Sequence, residues 1–125
     1  MKQIISTENA PAAIGPYSQA ILSNNTLYCS GQIAINPETG DVVMDNITNE
    51  TTQVMQNISA VLKEADMDFS NVVKCSIFMK RMEDYAEINK VYAMSFINNP
   101  PAREAIQVSA LPKNVNVEIS VIAVK

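Results

Sequence analysis

Apolar residues recur with two different spacings along this 125-residue chain, and the change from one to the other marks its elements. Ile47, Val54, Ile58, Val61, Leu62 and Ala65 follow one another at helical intervals and share one helix face, with Asp45 or Asn46 available to cap the start. Tyr85, Ile88, Val91, Tyr92 and Phe96 form a second such stripe, which predicts a helix from about Asp84 to Phe96, stopped by Asn98-Asn-Pro-Pro101. Elsewhere the period is two. Val115, Val117, Ile119, Val121 and Ala123 alternate with Asn116, Glu118, Ser120, Ile122 and Val124, the pattern of a two-faced strand over Val115–Val124. Val72–Met79 reads as a central strand and Arg103–Val108 as another, with Pro112-Lys-Asn114 turning between Val108 and the last strand. Near the N-terminus, Ile4-Ile5, the extended run Tyr17–Leu22, and Thr26–Ser30 are short strands, the last two joined at Asn24-Asn25. The proline-rich stretch Asn9–Pro16 and the turn Asn36-Pro-Glu-Thr-Gly40 before Val42-Val43 break regular structure.

Strands, helix, strand, helix and two strands in that order predict an α+β fold: a single mixed β-sheet with both helices packed on one face. The length suits a single domain over residues 1–125, without repeats or linkers. The sheet face that the helices leave bare calls for cover, and burial against identical copies is a common solution.

Composition narrows the chemistry. Hydrophobic residues make up 47% and charged residues 18%, a globular balance. Thirteen acidic residues against 9 basic ones leave a net charge of −4, which repels phosphate backbones, so no nucleic-acid partner is expected. The one basic pair, Lys80-Arg81, is flanked by Glu83 and Asp84. Histidine is absent, which removes Ser-His-Asp and Cys-His nucleophilic sites and most catalytic zinc sites. Cys29 and Cys75 lie in apolar runs and read as buried free thiols. No glycine-rich phosphate loop, metal-ligand cluster or dinucleotide fingerprint occurs, so no cofactor and no metal is expected. Neither a leader-like stretch nor a membrane-length apolar run is visible, and the expected compartment is cytoplasmic.

A few residues could carry chemistry. Arg103 opens a strand behind the rigid Pro100-Pro101 pair, and its planar fork matches a carboxylate. Read in isolation, it fits better as half of a structural ion pair, with Glu118 as the partner on a neighbouring strand. Glu118 sits mid-strand, where a carboxylate is solvated, paired, or a general acid/base. Ser30-Gly31 ends a strand where glycine allows close approach to the backbone, or simply turns the chain. Tyr17 follows the rigid Gly15-Pro16 and either packs or reaches a ligand; Asn89 lies in the second helix, where exposure to solvent is the ordinary explanation.

Together, Asn9-Ala-Pro-Ala-Ala-Ile-Gly-Pro-Tyr-Ser-Gln19, Ser30-Gly-Gln-Ile33 with Asn36-Pro-Glu-Thr-Gly40, and Pro101-Ala-Arg103 with Leu111-Pro-Lys113 and Val117-Glu-Ile119 resemble the RidA (YjgF) family of enamine/imine deaminases over essentially the whole chain. The resemblance implies a chorismate-mutase-like fold and a homotrimer whose sheets pack into a central barrel, with clefts at the subunit interfaces. It implies an enzyme that hydrolyses 2-aminoacrylate and related enamines or imines to 2-keto acids and ammonia. Arg103 would grip the substrate carboxylate, Glu118 would position water, and Tyr17 would close the site. Asn89 and the backbone at Ser30-Gly31 would shape it. Glu104 and Ala105 depart from the family pattern of a small residue and then often cysteine. By strand alternation Glu104 points away from Arg103, whereas Ala105 shares its side, faces the cleft and offers only its backbone. The segment between Tyr92 and Arg103 is also short for the family and would reshape the entrance. A small-carboxylate-binding module without turnover is the alternative reading. The endoribonuclease activity sometimes attached to the family fits the acidic, histidine-free composition poorly.

Overall fold

A computed structural model describes all residues, 1–125. Its single six-stranded sheet is built from β1 (Lys2–Ile5), β2 (Ala20–Ser23), β3 (Thr26–Cys29), β4 (Val72–Met79), β5 (Ala102–Gln107) and β6 (Val117–Val124). The spatial order is β1-β2-β3-β6-β4-β5. All neighbours are antiparallel except β4 and β5. Two helices, α1 (Ile47–Glu64) and α2 (Tyr85–Ala93), provide the crossovers that such a mixed sheet requires.

Local chemistry fixes each element. Asn24 and Asn25 both adopt positive φ (49° and 65°), so β2 and β3 join through a two-residue turn of the kind that matches strand twist. The Asn46 side chain accepts the Asn49 N–H at 2.8 Å and starts α1. Val54, Ile58, Val61 and Leu62 then lie wholly buried against the sheet. Truncating Ile58 or Leu62 to alanine costs about 2–5 kcal/mol. From β6, Val117, Ile119, Val121 and Ala123 enter the same core, and the alternation read from the sequence holds. Both cysteines are free thiols, Cys75 wholly buried and Cys29 partly so.

Three expectations change. The second helix ends at Ala93 rather than Phe96, because residues 94–96 tighten into turns with Ser95 N–H on Tyr92 and Phe96 N–H on Ala93. The run from Tyr17 is strand only from Ala20, and Val115-Asn116 precede β6 instead of opening it. Most consequentially, β5 and β6 are not neighbours. The connection through α2 lays β5 parallel to β4 on the far side from β6, so β4 separates Arg103 from Glu118.

The outer sheet face carries no helix. Ile4, Ile21, Tyr28 and Ile122 form an apolar row across four strands there, and Lys74, Ser76 and Glu104 form a polar patch beside them. No helix is long and apolar enough to cross a membrane.

Candidate active site

Register assigns Arg103 and Glu118 to opposite faces of the sheet. Arg103 pairs with Cys75, whose side chain is in the core, whereas Glu118 pairs with Phe78, three residues along and on the outer face. The ion pair considered between them is therefore not formed, and the chain presents two separate clusters.

The first cluster lies between β5 and α2. Arg103 Nη1 donates to Asn89 Oδ1 and Nη2 donates to the Tyr85 hydroxyl, both at 2.7 Å. The guanidinium carbon lies 4.9 Å from the centre of the Tyr92 ring and 5.7 Å from that of Tyr85. Every partner is neutral, and none of the ion pairs in the molecule involves Arg103. A half-buried guanidinium oriented in this way keeps N–H groups and a full charge for an anion. It opens on a cavity of about 360 Å³ lined by Tyr92, Phe96, Pro100 and Pro101 beside Asn89. Ala105 projects on the same side as Arg103 and packs against the core, opposite Ile77. Glu104 projects to the outer face, where it takes a hydrogen bond from Ser76 and pairs with Lys74 at 2.7 Å. Lys74 first, then Ser76, holds its carboxyl below the ordinary range.

The second cluster lies on the outer face. Glu118 lines a cavity of about 160 Å³ with Tyr17, Gly31, Gln32, Pro112 and Lys113, among others. Gly31 is needed here: a Cβ on it would lie 2.9 Å from the Glu118 carboxyl carbon and 3.1 Å from its Cγ, and closer still to Oε2. Desolvation in this pocket raises the Glu118 carboxyl above its ordinary value. Ser30 faces away from the opening, its hydroxyl donating to the Ser18 carbonyl at 2.6 Å, and so fixes the backbone beside Gly31. Gln19 ties down the loop that carries Tyr17, bonding Thr7 at both its N–H and its carbonyl, and the carbonyls of Ala10 and Pro11. Tyr17 itself is half exposed.

Of the residues singled out from the sequence, Tyr17, Gly31 and Glu118 thus meet in one pocket, while Arg103 and Asn89 meet in the other. Tyr85 and Tyr92 were readable only as members of an apolar stripe. Their second role follows from Arg103 standing opposite α2, a relation between distant positions that spacing does not reveal. Lys113 likewise reaches the Glu118 pocket from a turn, in a positive-φ conformation (54°).

Over residues 7–125 the sequence matches the family described as endoribonuclease L-PSP. It is 46% identical to the 2-iminobutanoate/2-iminopropanoate deaminase of Bos taurus, covering 100% of this chain and 91% of the relative. The crystal structure of a Rid family protein from Yersinia pestis superposes with a TM-score of 0.98 at 49% identity, covering the whole of both chains. That of E. coli TdcF with bound serine superposes at 0.94 with 34% identity, covering 98% of each chain.

Proposed function

Because this chain belongs to the Rid (YjgF) family, we propose that it hydrolyses reactive enamines and imines, such as 2-aminoacrylate and its 2-imino tautomer, to 2-keto acids and ammonia. The observation that carries the reading is Arg103: a half-buried guanidinium held by Asn89 and Tyr85, with no acidic residue paired to it. A 2-imino acid supplies the missing carboxylate, and two parallel N–H bonds would fix the orientation of its C2 carbon.

The other half of the chemistry falls to Glu118. Water adds to C2 of the imine as Glu118 accepts a proton from it. That proton passes to the nitrogen to give a carbinolamine, whose hydroxyl proton is then carried to the nitrogen as the C–N bond breaks, so that ammonia leaves and a C=O group remains. A carboxyl raised by desolvation is suited to taking and returning that proton closer to neutral pH. Tyr17 closes the pocket, Gly31 lines it and Ser30 fixes the backbone beside it, while Ala105, on the side of Arg103, would offer its backbone to the same substrate. The imine carbon is already electrophilic, so positioning and proton transfer are sufficient and no cofactor enters the scheme.

The two half-sites of one chain face opposite ways, so the proposal includes association. In a homotrimer with the bare sheet faces packed inward, the Glu118 pocket of one copy lies against the Arg103 edge of the next. The apolar row Ile4, Ile21, Tyr28 and Ile122 supports this packing. The serine named with the E. coli relative, a small amino acid, fits a clamp of this kind.

The test generates 2-aminoacrylate with a serine dehydratase and follows pyruvate release. Wild type should accelerate it and Arg103→Ala should not; no acceleration by wild type, or equal acceleration by the variant, refutes the proposal. The second reading, a carboxylate-binding module without turnover, draws on Glu104, Ala105 and the short loop before Arg103. It would be chosen if 2-ketobutyrate bound in calorimetry while wild type left pyruvate release unchanged.

A further inference from the structure

Glu50 is a carboxylate that neither the fold nor the proposed reaction yet explains. It lies in the first turn of α1 and is wholly buried. Both of its oxygens are used by one residue: Oε2 accepts the backbone N–H of Asn116 and Oε1 accepts its side-chain amide, each at 2.8 Å. No lysine or arginine pairs with it. Burying a carboxylate among neutral partners is costly, and an apolar contact would join α1 to the sheet at lower cost. An apolar contact, however, lets the surfaces slide, whereas two directed hydrogen bonds fix both distance and orientation.

What they fix is the approach to the Glu118 pocket. Asn116 is clamped from a second side, its carbonyl accepting the Lys80 N–H at 3.0 Å while Lys80 Nζ donates to Asn114 at 2.6 Å. Val115 between them is wholly buried. This short segment joins the two stretches of the pocket wall. Pro112 and Lys113 precede it and line the cavity; Glu118 follows it and lines the same cavity. Lys113 and Asn114 hold consecutive positive-φ conformations (54° and 56°), which persist only where the surroundings over-determine them.

We propose that Glu50 is a positioning residue for Glu118: its two-point hold on Asn116 sets how far Glu118 and Lys113 reach into the pocket beside Gly31. The inference rests on Glu118 as the group that handles water, and its test must separate the two ideas. Two readouts do so: the pyruvate-release assay, and the titration of the Glu118 carboxyl followed by NMR, which needs no turnover.

Glu50→Gln can keep both bonds if the Asn116 amide turns over, so kcat should stay within about threefold of wild type and the Glu118 titration should not move. Glu50→Ala removes both bonds and should lower kcat about tenfold or more with KM within about twofold, since the group displaced acts on the reaction rather than on carboxylate binding. Its Glu118 titration should move down toward that of an ordinary carboxylate as water enters the loosened pocket. Asn116→Ala, which keeps the backbone bond, should fall between the two and serves if Glu50→Ala does not fold. Folded Glu50→Ala or Asn116→Ala with wild-type kcat and an unmoved titration overturns the proposal. So does a Glu50→Gln as damaging as Glu50→Ala, or a rise in KM alone. If wild type itself releases no pyruvate, the deaminase reading fails, and the titrations still decide whether Glu50 positions Glu118.

Discussion

Adding one methyl group to Gly31 places it inside Glu118. In Gly31→Ala the new Cβ would stand 2.9 Å from the Glu118 carboxyl carbon and 3.1 Å from its Cγ, where contact requires at least about 3.4 Å. The obstructing atoms belong to the end of a flexible side chain, so the strain is relieved by swinging Glu118 aside. Overpacking costs about 1–3 kcal/mol in a closed core, and the lower end applies at this solvent-facing position. One kcal/mol corresponds to a fall of roughly 4 °C in Tm for a domain of this size. Catalysis is far more sensitive: a misplacement of about 1 Å can cost on the order of a hundredfold. The variant should therefore remain folded by circular dichroism, melt a few degrees lower, and lose about two orders of magnitude in kcat/KM for pyruvate release. Binding of 2-ketobutyrate, which depends on Arg103, should weaken much less. A folded variant with kcat/KM within about twofold of wild type would show that the close fit of Gly31 to Glu118 has no part in the chemistry.

Two further predictions concern pH and assembly. Desolvation raises the Glu118 carboxyl, so the folded protein keeps a proton there at pH values where the unfolded chain has lost it. Wild-type stability should thus decline as pH rises from the ordinary carboxylate value through the raised one. Glu118→Gln should remove that decline, so its Tm advantage over wild type grows across that window and then levels off, while turnover is abolished; a constant Tm difference would contradict the assignment. Ile122→Asp puts a charge in the apolar row of the outer sheet face, and should convert the assembly to monomers in sedimentation and abolish turnover with both half-sites intact. An unchanged sedimentation coefficient would mean that this face is not the interface.

Much of the fold was legible because burial writes period into sequence. β6 shows this well: its core and outer residues alternate without exception from Val117 to Ala123. α1 was equally clear, with an apolar stripe of the right spacing and a cap at Asp45 or Asn46, of which Asn46 is the one used. Period, however, says which face a residue occupies and not which strand lies beside it. Arg103–Val108 and Val115–Val124 are successive in sequence with a turn between, so adjacency was the natural expectation. The crossover through α2 instead sets β5 beyond β4. That displacement, with the register that sends the two side chains to opposite faces, replaces an Arg103–Glu118 contact within a chain by two separate clusters. The partners of Arg103 were hidden for a related reason. Tyr85 and Tyr92 bury their rings as apolar residues do, and only the Tyr85 hydroxyl position relative to β5 reveals the hold on the guanidinium. Glu50 was hidden inside a helix whose charged residues otherwise face water.

If a complete deaminase site forms from Arg103 of one copy and Glu118 of another, mixing two inactive variants should restore it. Arg103→Ala and Glu118→Ala each leave one half-site intact and should each fail to accelerate pyruvate release from 2-aminoacrylate. Co-expressed at equal levels and purified together without selecting mixed assemblies, they should recover about a quarter of wild-type activity, because random association makes each site wild type at both positions with a probability of one half times one half. No recovery in assemblies shown by mass spectrometry to contain both variants would contradict the account.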